Sequence, residues 1–233
     1  MMEKFTCVLD ACSYINLQVP VLNIRNQDLS VFQILCQEMD IKLSEVVNKE
    51  IKRNKHKFVN LDALQIDNKK YKFRRNPNLI HYDKVLFGGS IFNEVNNQGE
   101  KINFAVTMDL FLHGNRKLIY LSDDKSAEDN FFVNLKRDFK FCQFWDSYDA
   151  IFFLYVNGHE KSFTYLHAKQ SIEDIISSFL RIDKKGFDSQ LAKGEINQRK
   201  FDELMYKKTD NYSKTKVNLI KRLDFITNIL NYK

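Results

Sequence analysis

The chain has 233 residues, of which 44% are hydrophobic and 28% charged, and its formal net charge is +6. This composition is typical of a soluble globular protein, and the seven glycines and two prolines argue against low complexity. We find no membrane-spanning run and no signal peptide, so we expect a cytoplasmic protein without a membrane partner. The four cysteines form no Cys-x-x-Cys pair, which favours reduced thiols over a zinc site or disulfides.

Two predicted strands end on carboxylates. Residues 5–9 form a short apolar run that stops at Asp10. Residues 118–121 form a second run of β-formers, which stops at a pair of aspartates, and a helical pattern follows over residues 131–135. In an open α/β sheet the carboxyl ends of the strands are where sites form, so these acids are candidates for chemistry.

Helical spacing of apolar residues predicts helices between these two strands. Asp28 or Ser30 can cap a helix over residues 31–39, and Ser44 can cap a second helix that carries Glu50. A short strand is predicted immediately before Ser44.

The segment 101–113 predicts a largely buried helix, because its apolar residues leave no broad polar face. Glu100 opens this helix and Asp109 lies within it, nine residues further on and therefore on the opposite face. Glu100 has the better position for a site, since the amino end of a helix favours a carboxylate. Asp109 remains the alternative to Glu100 as the acid that this helix contributes to the site.

The carboxyl-terminal part of the chain predicts a helical extension. Residues 141–145 predict an edge or final strand, and a helix rich in aromatic residues follows it. Further on, Ser171 can cap an amphipathic helix, and residues 217–230 predict another. We therefore predict a first domain at residues 1–158 and a helical extension at residues 159–233.

The first domain contains a basic insertion at about residues 52–98, in which aromatic residues are interleaved with Lys and Arg. One interpretation is a solvated surface segment, and the other is a phosphate-contacting surface with aromatic side chains that stack on bases. The candidate nucleic-acid-binding residues are Lys52, Arg53, Lys55, Lys57, Lys70, Lys72, Arg74 and Arg75.

Four predicted elements can bring acids to one sheet edge. Taken singly, each acid is explained as a turn residue, an exposed helix charge or a cap. Together, clustered carboxylates repel one another unless a cation neutralises them, which points to Mg²⁺ or Mn²⁺ rather than zinc. Such an ion lowers the pKa of a bound water, so metal-dependent phosphodiester hydrolysis is the resulting hypothesis. The candidate acids are Asp10, Glu50, Glu100, Asp123 and Asp124.

Four short motifs, in this order, resemble the acidic motifs of the PIN domain family. They are Val8-Leu-Asp10-Ala-Cys-Ser-Tyr-Ile15, Val46-Val-Asn-Lys-Glu50, Gly99-Glu100 and Leu121-Ser-Asp-Asp-Lys-Ser-Ala127. The resemblance covers about residues 1–155. It implies a Rossmann-like α/β/α sandwich with a central parallel sheet. It also implies a Mg²⁺ or Mn²⁺ dependent ribonuclease, often the toxin of a toxin-antitoxin pair and often a homodimer.

The same resemblance implies roles for individual residues. The metal-binding and catalytic acids would be Asp10, Glu50, Glu100 and Asp124, with Asp123 as an alternative or additional member. Ser13 or Ser122 would hold a carboxylate or a water in place.

Our leading hypothesis is an endoribonuclease that cleaves RNA with one or two divalent ions, while the basic segment holds the RNA backbone. An antitoxin protein is a further partner that the resemblance suggests. The alternative is a non-catalytic PIN-like nucleic-acid-binding or assembly module in which the acids are vestigial. A third hypothesis is a phosphatase or DNA nuclease that uses the same carboxylates. A receiver-type signalling domain fits less well, because its acidic pair follows the first strand.

Overall fold

The computed structural model describes residues 4–54, 70–71, 77–89, 98–114, 117–124, 142–158 and 162–232. These ranges form a mostly helical α/β protein with a central parallel sheet, which confirms the predicted fold class at that level. The chain divides into two compact units, one of Met1–Gln18 with Phe32–Ala150 and one of Val19–Val31 with Ile151–Lys233. The predicted domain boundary at residue 158 stays a prediction.

The described strands and helices are numbered separately in chain order. The strands are β1 (Thr6–Leu9), β2 (Val21–Ile24), β3 (Gln27–Ser30), β4 (Asp40–Ser44), β5 (Lys70–Tyr71), β6 (Leu118–Leu121) and β7 (Gln143–Trp145). The helices are α1 (Ala11–Gln18), α2 (Val31–Glu38), α3 (Glu45–Asn54), α4 (Pro77–Phe87), α5 (Gln98–Leu112), α6 (Ser147–Gly158), α7 (Tyr165–Ala192) and α8 (Gln198–Asn231).

The sheet of the first unit has four parallel strands in the order β4-β1-β6-β7, and the two-residue strand β5 adds at the β4 edge. After β1 the chain builds β4 and β5 on one side, and then crosses to β6 and β7 on the other. The strand order therefore reverses between β1 and β6. In doubly wound sheets the ligand crevice opens at the carboxyl ends of the strands at such a reversal.

Helix α5 is largely buried, as the sequence predicted, and it packs on the sheet. Ile102, Ala105 and Val106 of this helix form one buried cluster with Val8 of β1 and Tyr120 of β6. Every residue of β1 and β6 is buried, so both faces of these central strands are covered. Each buried aliphatic side chain of this kind contributes roughly 1.5–3 kcal/mol, which holds the carboxyl ends of the two strands in place.

Side-chain caps set where several helices begin. The backbone N–H of Val47 donates to Ser44 Oγ at 3.3 Å, which confirms Ser44 as the cap of α3. At the start of α6, Asp149 N–H donates to Asp146 Oδ1 at 2.8 Å, and Asp146 N–H donates to Asp149 Oδ2 at 3.3 Å. This reciprocal capping satisfies two donors at the helix amino end.

The hairpin β2–β3 in the second unit was not predicted, and it corrects one predicted cap. Arg25 and Asn26 form its two-residue turn, with φ angles of 53° and 62°. Two positive φ angles suit the right-handed twist of a hairpin, but Arg-Asn is a weaker turn signal than Asn-Gly. Asp28 lies in β3 and accepts from Asn23 Nδ2 at 2.9 Å, so it does not cap α2.

The two long helices of the second unit both begin earlier than predicted. Thr164 and His167 form the capping box of α7, so the prediction of Ser171 as its cap was wrong. Ser171 is buried inside the helix and donates to His167 O at 2.7 Å. Helix α8 begins at Gln198 rather than near residue 217, because Asn197 caps it there.

Contacts along these two helices hold them together. The rings of Phe179 and Tyr212 stack with their centroids 6.3 Å apart, and Tyr212 Oη donates to Asp183 Oδ2 at 2.8 Å. Lys216 Nζ forms an ion pair of 2.8 Å with Glu173. The pairing buries apolar surface that neither helix covers by itself.

Some predictions fall on parts of the chain that the structure does not describe. The predicted helical pattern at residues 131–135 lies outside the described residues, as do Lys55, Lys57, Lys72, Arg74 and Arg75. Among the helices in the described ranges, none is long and apolar enough to cross a membrane.

Candidate active site

Asp10 lies at the carboxyl end of the central strand. It directly follows β1, and its backbone N–H donates to Leu121 O of β6 at 3.0 Å. Tyr14 N–H donates to Asp10 O at 3.0 Å, so the same residue starts α1. The carboxylate accepts from the backbone N–H groups of Ala11 and Cys12. Asp10 is therefore held between the end of a strand and the start of a helix, where the crevice is expected.

Ser122 links the end of β6 to Asp10. Its backbone N–H donates to Trp145 O at 3.0 Å, and its hydroxyl donates to Asp10 Oδ2 at 3.2 Å. The same Oγ accepts from the backbone N–H of Asp124 at 3.2 Å. Of the two serines that the sequence suggested, Ser122 thus contacts the acids. Ser13 Oγ is buried and has no hydrogen-bond partner among the described residues.

Glu50 and the start of α5 meet although they are far apart in the sequence. A Cβ built on Gly99 would lie 3.1 Å from Glu50 Oε1 and 3.2 Å from Oε2. The missing side chain at position 99 leaves the space that the Glu50 carboxylate occupies. Glu100, the next residue, lies in the first turn of α5. Helices α3 and α5 therefore bring two glutamates to one region.

The acids raise one another's pKa. Burial raises the pKa of Asp10, Asp124 raises it further, and hydrogen bonds from Ala11, Ser122 and Cys12 oppose the rise. For Glu50, burial and then Asp10 raise the pKa, whereas Arg53 lowers it. These shifts are the expected response to burial and to nearby like charge.

Glu100 has a pKa close to neutrality. Burial first, and then the charges of Asp124, Asp10 and Glu50, raise its pKa to about 7. Four acids from four separate elements therefore share one electrostatic environment. A carboxyl with a pKa near neutrality in such a cluster is typical of a functional site.

The chemistry of these donors fits a hard divalent cation. All four carboxylates offer oxygen atoms, and a cation would relieve the repulsion that, together with burial, raises the pKa values of Asp10, Glu50 and Glu100. Within the described residues, no three His, Cys, Asp or Glu side chains lie close enough together to hold a metal ion in their present conformations.

Asp123 is placed differently from the other acids. Its Oδ2 accepts from Asn16 Nδ2 at 2.6 Å and also from the hydroxyl of Ser147. Its Oδ1 accepts from the backbone N–H of Ser147 at 2.8 Å, at the amino end of α6. The carboxylate is therefore engaged by three donors from two other elements.

Asp109 lies with α4 rather than with the acidic cluster. Asn78 Nδ2 donates to Asp109 Oδ1 at 3.2 Å, and His113 Nδ1 lies 3.4 Å from the same oxygen. Tyr82 also forms a hydrogen bond with this carboxylate. After burial, the charges of Asp124, Asp10 and Glu50 raise the pKa of Glu100, whereas Asp109 contacts Asn78, Tyr82 and His113. The geometry thus favours Glu100 over Asp109 as a member of the site.

Only part of the predicted basic surface can be placed. Lys52 and Arg53 are exposed at the end of α3, and Arg53 is close enough to lower the pKa of Glu50. Lys70 belongs to β5, whose side chains the structure does not describe.

Three site residues were missed by sequence analysis: Asn16, Ser147 and Asn103. Asn103 is fully buried, and its Nδ2 donates to Leu9 O at 3.4 Å, next to Asp10. A signal for Asn103 was available, because it is a polar residue in the apolar helix one turn after Glu100. The signal for Asn16 and Ser147 is weak, since both are common in helix ends and turns.

Comparison of the chain with protein-family models, with curated proteins and with solved structures finds no match.

Proposed function

We propose that this chain is a Mg²⁺ or Mn²⁺ dependent endoribonuclease with a PIN-like fold. The observation that carries the proposal is the convergence of Asp10, Glu50, Glu100 and Asp124, where burial and then mutual repulsion raise the pKa of three of them. The strand order supports it, because the reversal between β1 and β6 is where doubly wound sheets place their ligands.

In the proposed site, Asp10, Glu50, Glu100 and Asp124 supply the oxygen ligands. When bound, the divalent ion would lower the pKa of a water and offset negative charge on the phosphate. Asp10 keeps its orientation through the hydroxyl of Ser122, and Gly99 leaves room for the Glu50 carboxylate. Hydrolysis forms a bond between the water oxygen and phosphorus while the bond to the leaving ribose oxygen breaks, and a proton passes to that oxygen.

RNA is the proposed substrate. Arg53 and Lys52 lie within one helical turn of Glu50, so they can contact phosphates that flank the scissile bond. The antitoxin, the homodimer and the cytoplasmic location are further proposals that rest on the resemblance or on the sequence alone.

The test compares two glutamates on the same helix. Glu50→Gln and Glu45→Gln make the same chemical change on α3, but Glu45 pairs with Lys49 at 2.9 Å and is outside the cluster. With single-stranded and structured RNA in Mn²⁺, Mg²⁺ or chelator, Glu50→Gln should lose at least about 10²-fold in cleavage rate. Glu45→Gln should cleave like the wild type.

Several results would contradict the proposal. They are equal activity of the two variants, cleavage that persists in chelator, or no cleavage by folded, metal-loaded wild type. Faster turnover of DNA or of a phosphomonoester in a competition assay would move the assignment to the phosphatase or DNA nuclease alternative.

The second candidate is a non-catalytic nucleic-acid-binding or assembly module. The observation in its favour is a set of exposed apolar side chains on α8, which could contact a binding partner. These residues are Val217, Phe225 and Ile229. RNA binding without metal-dependent turnover would support this candidate.

A further inference from the structure

Asp123 connects the end of β6 with α1 and with the first residue of α6. It follows β6, it accepts from Asn16 of α1 at 2.6 Å, and it accepts from the backbone N–H of Ser147 of α6 at 2.8 Å. The hydroxyl of Ser147 makes a third hydrogen bond to the same carboxylate. Asn16 is buried at 7% exposure and Ser147 at 0%. Hydrogen bonds from buried donors to a charged acceptor are among the stronger ones in proteins.

The lone pairs of this carboxylate are largely used. An ionised carboxylate has about four acceptor positions, and three donors already approach Asp123. A metal ion at Asp123 would have to displace buried donors, which would then lose their acceptor.

Anchoring Asp123 also fixes its two chain neighbours. Ser122 donates to Asp10 at 3.2 Å and accepts from Asp124 N–H at 3.2 Å, so the three consecutive residues form one hydrogen-bonded segment. Movement of Asp123 would therefore change the positions of Ser122 and Asp124 together.

We propose that Asp123 is a positioning residue, which ties the segment of Ser122 and Asp124 to Asn16 and Ser147, and that it is not a metal ligand. The part of this inference that concerns catalysis rests on the proposed function. The part that concerns the hydrogen bonds of Asp123 with Asn16 and Ser147 does not rest on it. Their effect on thermal stability can be measured even if the protein has no activity.

The test exchanges the two partners. In Asp123→Asn, the new NH2 group must face either Asn16 Nδ2 or the backbone N–H of Ser147, because only one carboxamide oxygen is left to accept from the two donors. The double variant Asn16→Asp with Asp123→Asn restores one donor and one acceptor and keeps the total charge of the wild type. If Asp123 only positions its neighbours, the exchange restores function; if it were a metal ligand, the exchange would move the charge to another element and restore nothing.

Three quantities are measured on the full chain: the thermal midpoint, Mn²⁺ affinity by calorimetry, and kcat and KM for RNA cleavage. Asp123→Asn should lower the midpoint by about 5 °C and kcat about tenfold. It should leave KM within about threefold of the wild type and weaken Mn²⁺ affinity far less than Asp124→Asn does, because the ligand is displaced but not removed. The exchanged double variant should recover most of both losses. Asp124→Asn serves as the ligand control and should lose Mn²⁺ affinity.

A second control separates positioning from simple capping of α6. Asp149→Asn changes a carboxylate at the same helix end that contacts Asp146 rather than Asn16. It should lower the midpoint without a change in kcat.

The possible results are distinguishable. Loss of Mn²⁺ affinity in Asp123→Asn to the same degree as in Asp124→Asn, without recovery in the double variant, would overturn the inference. So would additive effects of the two substitutions on the midpoint, because they would show that the tie is absent. If the wild type does not cleave RNA, the proposed function fails, and recovery of the midpoint alone then decides whether the tie exists.

Discussion

The hydroxyl of Ser122 donates to Asp10 Oδ2 at 3.2 Å, so the residue after β6 orients the carboxylate after β1. Ser122 Oγ also accepts from the backbone N–H of Asp124 at 3.2 Å. One side chain therefore holds two of the proposed ligands in a fixed relation.

Ser122→Ala should reduce cleavage about tenfold, because Asp10 loses a donor that orients it. The hydrogen bond from Ser122 lowers the pKa of Asp10, so its removal should raise that pKa. The acidic limb of the pH–rate profile should then move to higher pH. Ser122→Thr keeps the hydroxyl and should behave like the wild type, and equal profiles for the Ala and Thr variants would disprove the role of this bond.

Gly99→Ala should impair function without loss of stability. The added Cβ would lie 3.1 Å from Glu50 Oε1, which is closer than ordinary contact, so the flexible carboxylate must move. Alanine favours the helix at this position, so the free energy of unfolding should not fall. We expect a severalfold weaker Mn²⁺ affinity by calorimetry and slower cleavage.

Gly186→Ala is the matched control, because nothing lies within 4 Å of a Cβ at this position of α7. It should stabilise the chain by about 0.5–1 kcal/mol and leave cleavage unchanged. Equal cleavage by both alanine variants would contradict the assigned position of Glu50.

The stability of the metal-free protein should depend on Glu100. Its folded pKa of about 7 is raised above the ordinary value of 4.5, so this carboxyl contributes stability at pH below about 4.5 that is lost as the pH rises through 7. Relative to Glu100→Gln, the wild type should therefore become less stable between pH 5 and pH 8.

Because Glu100 is partly exposed, we expect this difference to be about 1 kcal/mol after solvent screening. Denaturant unfolding of both proteins at pH 5 and pH 8 in chelator measures it. Added Mn²⁺ should stabilise the wild type more at pH 8 than at pH 5, since deprotonated carboxylates bind the cation. A difference between the variants that is independent of pH would show that Glu100 does not titrate in this range.

Leu223→Ala should destabilise the second unit by about 2–4 kcal/mol, because it removes a large buried side chain. Leu166→Ala makes the same change at a position that is 70% exposed and should stay within about 0.5 kcal/mol of the wild type. Thermal unfolding followed by circular dichroism compares the two. Similar midpoints would mean that Leu223 is not buried in solution.

The fold class could be predicted because its signals are local. Short apolar runs end at Asp10 and before Ser122, and strong helical spacing over α5 predicts a buried helix. The hairpin β2–β3 was missed because its Arg-Asn turn lacks the usual Gly, and the start of α7 was misplaced because Thr164 is followed by His167 rather than by Glu or Gln.

The sequence by itself determined which acids follow strands and which open helices, because these positions depend on neighbours within a few residues. Only the tertiary structure decided which acids meet. Glu50 reaches Gly99, and Asp123 accepts from Asn16, which is 107 residues away in the chain. Such pairings depend on how helices pack against a sheet. Local patterns of residue type do not show which residues far apart in the sequence will come into contact. Tertiary packing also gives the two neighbouring aspartates different surroundings. Asp123 accepts from a buried donor, whereas the charge of Asp124 acts on Glu100.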